Sequence, residues 1–179
     1  YAERRRPGAP TIVGIDASEP AVEYALGAGL LDAGVVEDLE HNDPSETLSD
    51  LVRDADVFTV TGGIGYITER TVDRLLDATP PERRPWFAAL CLRAVPYRGI
   101  AEVLDKHGLV TERLAGTTFP QRRFADEVEQ LYALQALADQ GIDPAGKEST
   151  GWYHVDVYLS RPAHHASALP IAEVLAGLG

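Results

Sequence analysis

The stretch "TIVGIDASEPAVEYALGAG", residues 11–29, passes from one periodicity to another within a few residues. Its first six residues are apolar, β-branched and end on an acid, the pattern of a short strand buried on both faces. Ser18 then stands as a candidate N-cap, Glu19 and Pro20 suit a first helical turn, and Val22, Leu26 and Leu30 recur every fourth position. The spacing predicts a helix that ends near Gly29 or Gly34.

The same unit repeats outward from this stretch. "GVVEDLEH" (34–41) reads as a second strand, and "NDPSETLSDLVRDAD" (42–56) as turn residues followed by a helix with Leu48, Leu51 and Val52 inward. "DVFTVTGG" (56–63) is a third strand. "TERTVDRLLDATPPERR" (68–84) is a helix capped by Thr68, facing inward with Val72, Leu75 and Leu76, and stopped by Pro80 and Pro81. "WFAALCLRAVP" (86–96) is a fourth strand, and "YRGIAEVLDKHG" (97–108) a helix with Ile100, Val103 and Leu104 on one face before Gly108. Such alternation requires right-handed crossovers and a doubly wound, mostly parallel sheet, an α/β fold. The last third departs from it: "LVTERLAGTTFPQRRF" (109–124) reads as one strand, "ADEVEQLYALQALADQG" (125–141) as an amphipathic helix, and "GWYHVDVYLSRP" (151–162) as a closing strand. With little chain after it, that last strand is expected to pair antiparallel with the one before.

Composition narrows the function. At 179 residues and 45% hydrophobic content, with no internal repeat or linker, the chain suits a single domain. No run approaches the roughly 20 apolar residues that cross a bilayer, so a cytoplasmic protein without a membrane partner is expected. A net charge of −12 opposes nucleic-acid binding. The lone Cys91 excludes an internal disulfide and any multi-cysteine metal site, and no metal is expected. The chain has no methionine and starts on the basic segment "YAERRRPGAP", so it is expected to be the C-terminal part of a longer polypeptide.

Ligands of open α/β sheets lie beyond the carboxyl ends of the strands. Asp16 ends the first strand, where its two oxygens can accept both hydroxyls of a ribose; the plainer alternative is a helix cap. Asp38 ends the next strand 22 residues on, where it can accept from the amine of adenine, or else be a solvated loop acid. Among candidate bases, His107 suits a helix C-terminus, His154 a packed strand, and His41 a loop; Tyr66, after the glycine turn, stands where a substrate would enter. His164 and His165 read as a solvated pair, Arg122 and Arg123 as a solvent-facing pair, and Cys91 as a buried, inert thiol.

"IVGIDASEPAVEYA", "VVEDLE" and "DVFTVTGG", in this order, resemble the second to fourth strands of the class I S-adenosylmethionine-dependent methyltransferases, and the last two strands resemble that family's sixth and seventh. The resemblance implies a Rossmann-like sheet with a reversed final strand and a first strand missing from this chain. It implies that Asp16 holds the ribose, Ala17 lines the adenine pocket, Asp38 and Leu39 meet the adenine edge, and Thr61, Gly62 and Gly63 lie by the sulfonium. Methyl transfer to a small molecule, with Tyr66 orienting the acceptor and a homodimer left open, is the function it implies. Two other uses of the fold stay open: another reaction of the same cofactor (alkyl transfer or cyclisation), and a non-catalytic interaction subunit. A rival reading takes "GGIGYIT" (62–68) as a dinucleotide-binding turn, with Gly63, Gly65 and Thr68 in the glycine positions and Arg93 meeting the 2′-phosphate of NADP.

Overall fold

A computed structural model describes residues 8–176. Its elements alternate as the sequence predicts: β1 (Val13–Asp16), α1 (Glu19–Gly27), β2 (Ala33–Val36), α2 (Glu46–Val52), β3 (Val57–Thr61), α3 (Glu69–Asp77), β4 (Trp86–Leu92) and α4 (Arg98–Lys106). Then come β5 (Leu109–Arg113), β6 (Phe119–Arg123), α5 (Glu127–Asp139) and β7 (Trp152–Pro162), with two short helices at the end. β1 and β2 form a parallel pair in which Asp16 lies opposite Val36. The larger sheet has the order β3-β4-β7-β5: β3 and β4 are parallel, and β7 runs antiparallel between β4 and β5.

The structure changes three boundaries. The single strand expected over 109–124 is two, separated by residues 114–118, where Gly116 takes the left-handed φ of 75°. β7 is eleven residues long and carries both pieces on one edge: β5 pairs with its second half and β6 with its first. β2 ends at Val36, so Asp38 lies in the following loop instead of at the strand end. α1 stops at Gly27, and Leu26 and Leu30 are left largely exposed. Leu51 is also exposed, whereas Leu48 and Val52 of the same helix are buried.

Two apolar clusters explain why the elements pack this way. On β4 every second residue points to one face, and Phe87, Ala89 and Cys91 meet Val72 and Leu76 of α3 and Ile100 and Leu104 of α4. A second cluster joins Leu48 and Val52 of α2 to Leu39 and Leu75, with Ile15, Val35 and Phe58 packed against it. The strands β1, β2 and β3 therefore share one covering layer although they belong to two hydrogen-bonded sheets.

Polar contacts tie the two sheets more directionally. Glu40, in the loop after β2, accepts the Thr68 amide at 2.7 Å, the Thr68 hydroxyl at 2.7 Å and the Thr71 hydroxyl at 2.6 Å. Its carboxylate thus sits on the first turn of α3, where orphan amides and the helix dipole favour an anion. From the same helix, Arg74 donates to the Leu39 carbonyl at 2.6 Å and to Asp43 at 3.0 Å. Burial pushes the Glu40 carboxyl up, but the Thr68 amide and the two threonine hydroxyls outweigh it and hold the group below its ordinary value.

A second tie lies further along the same edge, past β4. Arg93, just past β4, is buried against Glu148 at 2.6 Å and also donates to the Asp143 carbonyl at 2.8 Å. The other Glu148 oxygen is buried with no hydrogen-bond partner. A charge so enclosed depends on its partner, because removing one member leaves the other unpaired in a medium of low polarity.

Both ties make measurable predictions. Glu40→Gln should lower unfolding free energy at neutral pH by about 1.5–3 kcal/mol, the scale of hydrogen bonds to a charged group. Because the folded-state pKa is lowered, this contribution is present above the ordinary value of 4.5 and is lost as pH falls through the folded value. Urea titrations of wild type and variant should therefore converge in acid. Glu148→Ala should cost about 3–5 kcal/mol, and the double change Arg93→Met with Glu148→Met should recover much of the loss in the same titration.

Candidate functional site

β1 and β2 run in one direction and β3 and β4 in one direction, and the loop after β2 touches the residues after β3 through Glu40 and Thr68. The carboxyl ends of all four strands consequently face one edge of the molecule. Asp16, the loop of Asp38, the glycine turn 62–65 and Arg93 all lie along it.

At the first of these, Asp16 is exposed and its Oδ1 accepts the Ser18 amide at 2.8 Å. One oxygen thus does the work of the plainer alternative, ordering the entry to α1, while Ser18 itself makes no side-chain cap bond. Ala17 is exposed beside it. In the next loop, Asp38 accepts the Glu40 amide at 3.0 Å and the His41 ring Nδ1 at 2.8 Å. The His41 contact, helped by that amide, draws the Asp38 carboxyl below its usual range. Leu39 is 4% exposed, and its side chain belongs to the core shared with α2 and α3. Its carbonyl is taken by Arg74, so what Leu39 presents to the edge is backbone.

The glycine turn has two features that only its geometry shows. Gly62 has φ +70°, and a Cβ there would come within 2.0 Å of the Gln121 amide nitrogen of β6. Its conformation demands glycine, whereas the exposed Gln121 side chain could swing away from a Cβ. Secondly, the turn closes on itself: Tyr66 and Ile67 donate their amides to the Gly63 carbonyl, Gly65 donates to Ile67, and Gly62 donates to Leu90 of β4. With the Thr68 amide bound to Glu40, five of the seven amides of residues 62–68 already have acceptors within the protein.

This arrangement argues against the dinucleotide reading of residues 62–68. Arg93, assigned by that reading to a 2′-phosphate, is buried in its pair with Glu148. The anion position at the N-terminus of α3 is filled by the protein's own carboxylate.

Tyr66 follows the turn and is 87% exposed, within electrostatic reach of Arg122 and Tyr153. Arg122 is not free in solvent: it pairs with Glu129 at 2.6 Å and lies over the Tyr153 ring. Arg123 lies over Trp152. Of the histidines, His107 is the C-cap of α4 and its Nε2 lies 2.6 Å from Asp73. His154 holds Thr118 at 3.0 Å, and burial, with Arg93 and Lys147 and against the opposing pull of Glu148, draws its pKa below the ordinary value. His165 accepts from the Trp86 ring nitrogen at 3.0 Å, so the pair is not simply solvated. Burial, and then Asp156, push the Cys91 thiol up to about 12, which makes it inert.

Asp73, Asp77 and His107 are the one group of metal-ligating side chains found together among the described residues, with ligand atoms within 4.8 Å of one another. Lys106 donates to both oxygens of Asp73 and already supplies a cation there. Among the described residues no helix is long and apolar enough to cross a membrane.

Sequence reasoning missed a cavity of about 230 Å³ on the same edge, between the ends of β4 and β5. Arg113, Thr117, Thr118, Lys147 and Asp156 line it, drawn from three separate segments. The "AGTT" of residues 115–118 was its only signal, as a turn sequence inside a supposed strand.

No protein-family model matches the sequence, and no curated protein matches it. Among solved structures, the fold is similar to that of the YcgJ protein from Bacillus subtilis, with a TM-score of 0.50 over 84% of this chain and 82% of that one. The two are 9% identical, so the likeness is one of fold alone. The chain has a Rossmann-like α/β core with an antiparallel final strand.

Proposed function

We propose that this chain is the core of an S-adenosylmethionine-dependent methyltransferase acting on a small molecule. The observation that carries the reading is electrostatic. Around the ends of β1 to β3 the anion position at the start of α3 is filled from within by Glu40, while Asp16 is exposed and Asp38 half-exposed. Such an edge disfavours a phosphate-bearing cofactor and suits a nucleoside that carries hydroxyls and positive charge. S-adenosylmethionine has both and lacks phosphate.

When bound, this cofactor supplies an activated methyl group, so the protein's task is placement and exclusion of water. Asp16 offers a carboxylate to paired ribose hydroxyls. Ala17 and the Leu39 backbone flank the base, and the Asp38 carboxylate accepts from its amine. Thr61, Gly62 and Gly63 allow close approach at the end of β3, and Tyr66 orients the incoming acceptor. Among the described residues β1 pairs only with β2, and β3 only with β4.

Calorimetric titration with S-adenosylmethionine, S-adenosylhomocysteine and NADPH tests the reading. Binding of the first two is expected; binding of NADPH alone would overturn it, and binding of none would favour a non-catalytic interaction subunit. Asp16→Ala should weaken cofactor binding by about 1.5–3 kcal/mol, and an unchanged affinity would reduce Asp16 to its role at the start of α1. Tyr66→Phe should leave thermal stability unchanged, since the side chain is exposed, and should lower turnover without changing cofactor affinity.

A further inference from the structure

We propose that the cavity between the ends of β4 and β5 is a binding site for a small oxyanion, a carboxylate or a phosphate group, and that this group belongs to the acceptor molecule. The assignment to the acceptor rests on the reading above; the binding of an oxyanion does not.

The charges facing the cavity carry the inference. Arg93, Arg113 and Lys147 line it against a single lining carboxylate, Asp156. Arg93 is matched by Glu148 behind it and Arg113 by Asp156 at 3.2 Å. Lys147 is the surplus cation: among the described residues its ammonium has no ion-pair or hydrogen-bond partner. In a chain of net charge −12, an unneutralised lysine held at a concave polar site is an electrostatic exception.

Donors are also in surplus. Arg113 reaches Asp156 and the Tyr158 hydroxyl and is more than half exposed, so some of its five N–H donors remain for a ligand. Thr117 adds a hydroxyl, and Gly116, with φ +75°, turns the chain so that it and Thr118, whose own hydroxyl is held by His154, line the cavity. The loop that carries them leads into β6, whose Gln121 rests on Gly62 of the glycine turn. The cavity and the proposed cofactor edge are therefore joined by one short segment, as an acceptor site and a donor site must be.

The test is an NMR titration of the protein at constant ionic strength with acetate, with inorganic phosphate, and with acetamide as the uncharged counterpart of acetate. Acetate or phosphate should shift the amides of Gly116, Thr117, Thr118 and Lys147 saturably, and acetamide should not. Tighter binding of acetate would identify a carboxylate acceptor, and tighter binding of phosphate a phosphorylated one. Lys147→Met should weaken the anion about tenfold, the scale of one charge-assisted contact, while Lys147→Arg keeps it. Equal shifts with acetamide, shifts that map elsewhere, or an affinity indifferent to Lys147→Met would overturn the proposal. Repeating the titration with S-adenosylmethionine separates the two ideas: anion binding without cofactor binding removes the transferase reading and leaves the oxyanion site.

Discussion

The carboxylate of Glu40 on the first turn of α3 is the contact on which the arrangement of the ligand edge depends. It comes from the loop after β2 and binds residues that follow β3, so it holds together two sheets that share no strand-to-strand hydrogen bonds. Apolar packing of Ile15, Val35 and Phe58 under α2 and α3 brings the sheets to the same layer, but such packing is not directional. Three short hydrogen bonds to one carboxylate fix the register between them. They also determine what the edge can bind, because a helix N-terminus already occupied by a side-chain anion has no place for a phosphate.

Reversal of β7 has the second largest consequence. As a strand paired on both edges, it places β4 on one side and the successive pieces β5 and β6 on the other. The break between those pieces opens the cavity, and β6 then runs far enough to lay Gln121 on Gly62. Gly62 needs a positive φ for the chain's own turn, and the Gln121 side chain of β6 lies over it.

Much of the fold was legible in the sequence because the signals were local. The apolar run of residues 11–16, the acids and threonine that open the helices, and the alternation of Tyr153, Val155, Val157 and Leu159 each act within a few residues. Asp16 was legible as a strand-end acid for the same reason, whereas Asp38 falls in the loop because β2 stops at Val36. What failed was everything set by convergence. Glu40 reads as one more acid in "VVEDLEH", and nothing in the sequence tells that its partner is 28 residues away. Leu39, two residues past a strand, gives no sign that its side chain turns into a core built from α2 and α3. Arg93 looks available because its partner Glu148 lies 55 residues on. Lys147 and Arg113 meet only because β7 reverses.

The two halves of the edge differ in sign, and that difference bears on chemistry. Around β1 and β2 the exposed groups are acids; around β4 and β5 the surplus group is a lysine. A cationic methyl donor on the acidic half and an anionic acceptor on the basic half would each be held by its opposite charge and drawn toward the other. Transfer from a sulfonium to an anionic acceptor atom brings opposite charges together and reduces both, a change that low local polarity favours. The protein then needs no strong base, only a fixed approach past the glycine turn. An exposed tyrosine, Tyr66, stands beside that turn.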